Sequence, residues 1–221
     1  MGIVIDHTHP DYKAARAQIG MNRYNGAYYY SKEICRYFIP TIKTDRNWMT
    51  IKAGEEKVDH SIVFVHNNVG FERSYRYTFD LEDVVYVVGL PDMVERVQPY
   101  GKVLYLPLSV DVRYVERFKR NVKTRDTAFM GRRETRTRSD FVFPKGTDFI
   151  EMMPREKLLR EVSKYRRVYA IGRCAIESRI LGAELLPYHP RLPDTGLWKV
   201  LDSRDAAKML QGMLDEIDGR Q

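Results

Sequence analysis

Short runs that are apolar at every position alternate with segments of helical spacing along the first half of the chain. Ile3 to Ile5 predicts a buried strand that ends at the polar break Asp6-His7-Thr8-His9-Pro10. A loop through Gly20, Asn25 and Gly26 leads into a helix over about Ala27 to Phe38, and Pro40 stops it because proline has no N–H to continue the ladder. Strands are expected at Trp48 to Ile51 and at Ser61 to Val65, where Ile62-Val63-Phe64-Val65 is a continuous β-prone run closed by His66-Asn67-Asn68. An aromatic helix or turn spans Phe71 to Phe79. A strand at Asp83 to Val88, a helix at Pro91 to Val97 and a strand at Lys102 to Leu106 follow. Strands apolar on both faces need cover on both faces, which is the pattern of a parallel sheet between helices.

The second half repeats the alternation. A basic segment from Val112 to Arg125 reads as helix and connector, and Thr127 to Met130 as a strand ending on Gly131-Arg132-Arg133. Pro154 to Tyr165 has helical spacing, with proline at a permitted first-turn position and Leu158, Leu159 and Val162 on one face. Arg167 to Ile171 is a strand, Arg173 to Leu181 a helix closed by Gly182, and Ala183 to Leu186 a strand closed by Pro187. Ser203 caps a final helix whose stripe is Ala207, Leu210, Met213, Leu214 and Ile217. The expected architecture is α/β, with two small Rossmann-like doubly wound lobes facing a cleft: residues 1–110 and residues 111–221. Ligands of such sheets bind at the carboxyl ends of the strands. The polar breaks at Asp6 to His9, His66 to Asn68, Gly131 to Arg133 and Gly172-Arg173 all fall at such ends.

Composition narrows the class. The chain has 221 residues, 43% apolar and 30% charged, which is enough apolar material for a packed core and too much for a disordered chain. Cys35 and Cys174 make neither a disulfide framework nor a CxxC site, so a cytoplasmic home is expected. The three-residue apolar start before Asp6 predicts neither a signal peptide nor a membrane anchor, and no later segment is long enough to span a bilayer. Of the net charge of +7, ten bases against four acids between Asp111 and Arg138 contribute +6. A concentrated positive field implies an anionic ligand, either nucleotide phosphates, a nucleic-acid backbone or an acidic membrane surface; a solvated arginine-rich face is the plain alternative.

Several motifs resemble the two-lobed GT-B glycosyltransferases, in particular the retaining group with a GR…KG…E pattern. Phe129-Met130-Gly131-Arg132 is similar to that group's strand ending in Gly-Arg, and Lys145-Gly146-Thr147-Asp148 to its Lys-Gly segment opening a helix. Ala175 to Leu186 resembles its stretch in which a glutamate begins a helix, a glycine ends it and a strand follows. Ser203-Arg204-Asp205-Ala206-Ala207 resembles its last helix. In the first half, Asn25-Gly26-Ala27 resembles its glycine turn, Val65-His66-Asn67-Asn68 its histidine loop, and Leu106 to Asp111 the segment that joins the lobes. The chain departs from the pattern at Tyr169, where the group places a second glutamate.

The resemblance implies a glycosyltransferase that moves a sugar from a nucleotide-diphosphate donor to a hydroxyl acceptor. Cleavage of the donor leaves charge on the diphosphate, and fixed cations favour that state. Arg132 and Lys145 would supply them, with no metal and no further cofactor, and His66 would line the sugar site. Gly131, Gly172, Arg173, Glu177 and Ser178 would bind the donor, Glu177 through the ribose hydroxyls. His7, Asn25 and Gly26 would lie on the acceptor side. Structural readings stand beside these: Arg132 as a solvated side chain, Glu177 as a helix cap or salt bridge, His66 as a satisfied strand-end residue, the glycines as turn residues, and His7 and His9 as loop polarity or an acid/base pair. Two other functions compete. One is a nucleotide or nucleotide-sugar binding protein without transfer activity; the other is a nucleic-acid-binding protein, which overlaps the first where the acceptor is DNA.

Overall fold

The computed structural model describes residues 4–5, 32–49, 59–65, 71–133, 136, 140–151 and 153–220. The chain forms two compact units, Met1–Pro107 with Arg204–Gln221, and Leu108–Ser203. The break falls close to the expected residue 110. The last helix differs from expectation, because all but its first residue belong with the first unit.

The first unit contains a five-stranded sheet in the order β1 (Val4–Ile5), β2 (Asn47–Met49), β3 (Ser61–Val65), β4 (Val85–Val88) and β5 (Lys102–Tyr105). β1 runs antiparallel to β2, and the remaining neighbours are parallel. Every residue of β3 and β4 is buried, as continuous apolar runs require. Trp48 and Phe38 pack against Phe64, each with ring centroids 5.8 Å away; Phe38 ends a π-helical turn, Ile34–Phe38. Helix α1 (Phe71–Tyr75) brings Phe71 edge-on to Tyr86 on the neighbouring strand row, and the Tyr75 hydroxyl donates to the Phe64 carbonyl at 3.1 Å. Helix α2 (Asp92–Val97) connects β4 to β5.

The second unit begins with helix α3 (Val112–Glu116). Its cap is Asp111, which accepts from the Tyr114 amide at 3.1 Å. A connector follows the short helix, and Arg125 opens the next strand. A four-stranded parallel sheet follows in the order β7 (Asp148–Glu151), β6 (Arg125–Gly131), β8 (Tyr165–Tyr169), β9 (Glu184–Leu186). Helix α4 (Arg155–Val162) leads from β7 to β8 and helix α5 (Arg173–Ile180) from β8 to β9. Gly182 closes α5 at φ +81, with Ala183 N–H bonded back to the Ser178 carbonyl at 2.9 Å, as expected from the sequence. The chain ends in helix α6 (Ser203–Asp218).

β7 corrects the sequence reading. Lys145-Gly146 opens a strand and not a helix. It forms the middle of a β-turn in which the Thr147 N–H donates to the Pro144 carbonyl at 3.1 Å and Gly146 takes φ +90. That third turn position favours glycine for its backbone alone, since an added Cβ would meet nothing within 4 Å.

The two faces of this sheet differ. Phe149, Phe129, Tyr169 and Leu186 stand in register across all four strands. Phe141, Phe143 and Tyr188 pack onto that row. On the opposite face Met130 lies against Ser178 of α5. Gly131 has a packing reason to be glycine: a Cβ there would sit 2.8 Å from Cζ of Phe129, whose ring is locked in the aromatic cluster. Gly131→Ala is expected to lower stability by about 1–3 kcal/mol, the usual range for overpacking, as read from urea unfolding.

Candidate functional site

β6 lies inside the second sheet with β7 on one side and β8 on the other. The connection leaving β6 passes over the Phe129 face, through Phe141 and Phe143, whereas the connection leaving β8 enters α5 on the Met130 face. Adjacent parallel strands whose connections depart to opposite faces open a crevice at their carboxyl ends. At this switch point stand Gly131-Arg132 after β6 and Gly172-Arg173 after β8. Gly172 holds φ +61 with no atom of the described residues within 4 Å of an added Cβ, so backbone conformation selects glycine there. β2 to β5 of the first unit run in simple sequence order and have no such reversal.

The first residues of α4 and α5 bring three charged groups together. Arg155 Nη2 is 2.8 Å from Glu177 Oε1, and Arg173 Nη2 is 3.7 Å from the same oxygen. Arg173 Nη1 also donates to the Ser109 carbonyl at 3.0 Å. All three side chains are buried, Arg155 and Arg173 being 8% exposed and Glu177 only 4%. The Arg155 guanidinium lies 5.5 Å from the Tyr114 ring, which fixes its plane. The Cys174 thiol sits in the field of Glu177, Arg173, Arg155 and Arg132; burial dominates and pushes its pKa up to about 12, which disfavours the thiolate. Arg132 itself is exposed at the rim.

Some expected partners are separated. Arg132 follows the carboxyl end of β6, level with Glu151 at the carboxyl end of β7. Lys145 precedes the amino end of β7, and the four residues of that strand span roughly 13 Å. The two cations therefore lie at opposite edges of the sheet, and the paired clamp expected from the sequence is not formed. Ser178 also leaves the site: it is fully buried, and its hydroxyl donates to the Cys174 carbonyl at 2.8 Å on the side of α5 that meets Met130. Glu177 has the salt-bridged surroundings that were its structural alternative. His7, Asn25, Gly26 and His66 lie outside the described residues.

Arg155 was missed because its value depends on Arg173 and Glu177, which are about twenty positions away in sequence. Its place at the first turn of a helix after a strand was the only local signal. His189, just beyond β9, is a second omission: its Nδ1 is buried with no hydrogen-bond partner among the described residues, and burial followed by the Arg191 charge lowers its pKa.

The basic run between Asp111 and Arg138 is partly internal. Lys123 Nζ donates to the carbonyls of Ser163 and Leu181, and burial lowers its pKa. Arg125 bonds to Asp148 and Tyr165, and Arg136 pairs with Glu151 at 2.7 Å while lying over Phe149. Arg113, Arg117, Lys119, Arg120, Arg132 and Arg133 remain exposed, so positive surface persists along this run. Among the described residues no group of three His, Cys, Asp or Glu side chains is arranged to hold a metal, and no helix is long and apolar enough to cross a membrane.

These features define an α/β protein with Rossmann-like parallel sheets, one of which carries an arginine-rich switch point. No family model matches the sequence, and neither a curated protein nor a solved structure matches it.

Proposed function

We propose that the chain is a glycosyltransferase drawing on a nucleotide-diphosphate sugar, with the diphosphate held at the carboxyl edge of the Leu108–Ser203 sheet. The observation that carries this reading is that Arg132, Arg155 and Arg173 follow the carboxyl ends of β6, β7 and β8, with Arg155 and Arg173 sharing Glu177 Oε1. A diphosphate takes short, charge-assisted hydrogen bonds from guanidinium groups and from the amides that open a helix, and its charge rises as the sugar leaves. Cationic donors held in place before the reaction favour the departing state over the bound donor.

Thermal unfolding in the presence of UDP-, GDP- and TDP-sugars is the first test, since a ligand of the native state raises the apparent melting temperature by mass action. One of them is expected to do so, and release of the nucleoside diphosphate is expected when a hydroxyl acceptor is supplied. Arg132→Ala is expected to weaken donor binding by about tenfold or more, the equivalent of one charge-assisted hydrogen bond. Lys145→Ala is expected to change it less than about twofold, given the opposite edge it occupies. If Lys145→Ala abolishes binding and Arg132→Ala does not, the diphosphate has been assigned to the wrong edge.

Donor binding without transfer is the second reading. It is favoured by Lys145 standing apart from Arg132, and by Tyr169, which occupies the position of the group's second glutamate and is buried in the aromatic cluster. Saturable donor binding with no nucleoside diphosphate released in the presence of acceptors would select it.

A further inference from the structure

The buried Arg155–Glu177–Arg173 cluster is hard to explain as a stabilising device. Taking three charged groups out of water costs several kcal/mol per ion in general, and well-packed apolar residues in the same space commonly give equal or greater stability. Two other ion pairs of this unit, Arg125 with Asp148 and Arg167 with Asp126, are exposed and lie toward the amino ends of the strands, and Arg136 with Glu151 is half-buried at the end of β7. Arg155 and Arg173, in contrast, are the first residues of α4 and α5, so both guanidiniums belong to the carboxyl edge where the helix N-termini lie.

Glu177 sets the geometry. One oxygen, Oε1, faces both guanidiniums, and the Ser109 carbonyl holds a further edge of Arg173. Two long side chains that would otherwise sample many rotamers are thereby held in one arrangement beside Gly172, before any ligand arrives. A ribose-binding glutamate would present its carboxylate to the ligand; here Oε1 is turned to both arginines.

We infer that Arg155 and Arg173 are the diphosphate-binding pair of this unit, and that Glu177 is a positioning residue that aligns them and not a ligand of the ribose. The inference rests on the reading that the carboxyl edge takes a nucleotide diphosphate, and it names the groups that would grip the phosphates there. Arg132, at the exposed rim, then adds a third cation from the end of β6.

The test compares inorganic pyrophosphate with the nucleoside diphosphate whose sugar raises the melting temperature, both titrated calorimetrically against the wild-type chain, Glu177→Gln and Arg173→Lys. Glu177→Gln keeps the size and some hydrogen bonding of the side chain but removes the charge that orders the arginines. It is expected to weaken both ligands by the same factor, about tenfold or more, and Arg173→Lys to do likewise through loss of the planar fork. Loss of nucleoside diphosphate affinity with pyrophosphate affinity unchanged would restore the ribose role to Glu177 and overturn the inference. Should Glu177→Gln fail to fold, hydrogen exchange on the wild-type chain decides: pyrophosphate is expected to protect the first turns of α4 and α5, and protection confined to the Pro144 to Thr147 turn overturns the pairing. If the wild-type chain binds neither ligand, the functional reading itself falls and the inference with it; if it binds both and the variants bind them equally well, the inference alone falls.

Discussion

Replacing Arg46 with alanine is expected to lower the unfolding free energy by about 3 kcal/mol, the low end of the range for breaking a buried pair, because only Arg46 and Asp218 of its ion-pair ring are withdrawn from solvent. Arg46 is 3% exposed, and its guanidinium reaches Asp218 at 2.7 Å and Asp83 at 3.0 Å. The pairs continue around a closed ring. Asp218 meets Arg220 at 2.5 Å, Arg220 meets Asp45 at 3.7 Å, Asp45 meets His60 at 3.3 Å, and His60 meets Asp83 at 2.6 Å. Residues at the starts of β2, β3 and β4 are thus tied to the end of α6, which anchors the C-terminal helix to the first sheet. The pH dependence follows from the acids. Burial alone would raise Asp218, but hydrogen bonds from Arg46 and then Arg220 lower its pKa overall; for Asp83, burial is likewise outweighed by hydrogen bonds from His60 and Arg46. A carboxylate with a lowered folded pKa contributes stability that is complete above its unfolded pKa and disappears as pH falls through the folded value. The difference between wild type and Arg46→Ala in urea unfolding is therefore expected to be full near neutral pH and to shrink below about pH 4. A difference under about 1 kcal/mol at neutral pH would put the ring in the class of surface pairs.

Phe129→Ala is expected to cost the second unit about 3–5 kcal/mol, the range for removing a buried aromatic ring. Phe129 is fully buried at the centre of the aromatic face, with ring centroids 5.3 Å from Phe143, 5.4 Å from Tyr188 and 6.3 Å from Phe149. Phe141 and Phe143 belong to an irregular segment, so their order depends on the ring they cover; its loss should also weaken near-ultraviolet circular dichroism from the tyrosines. Phe149→Ala supplies the contrast, because that ring is 46% exposed and should cost much less. Equal losses for the two variants would mean that the cluster is not organised around Phe129.

Much of the fold was legible along the chain. The apolar runs Ile62 to Val65 and Val84 to Val88 became inner parallel strands, because burial on both faces leaves no polar alternation to conceal them. The glycine stop at Gly182 was equally plain, since few other residues take a positive φ at a helix end. β7 was not legible. Asp148-Phe149-Ile150-Glu151 sets two apolar residues between two acids, and the preceding Lys-Gly pair favoured a helix by analogy. Its pairing with Ala128 to Gly131 supplies what its own sequence lacks.

The site divides along the same line. Local chemistry was enough to place Gly131-Arg132 and Gly172-Arg173 after the carboxyl ends of strands, because a polar break closes a buried apolar run. Which cations act together could not be read that way. Strand order placed β6 between β7 and β8, sent Lys145 to one edge and Arg132 to the other, and set Arg155 beside Arg173. Composition and periodicity determined an α/β protein with parallel sheets and a positive second half. Only the tertiary structure decided that two of its arginines share a buried carboxylate, because an ion pair depends on distances across the sheet, and sequence separation does not encode them.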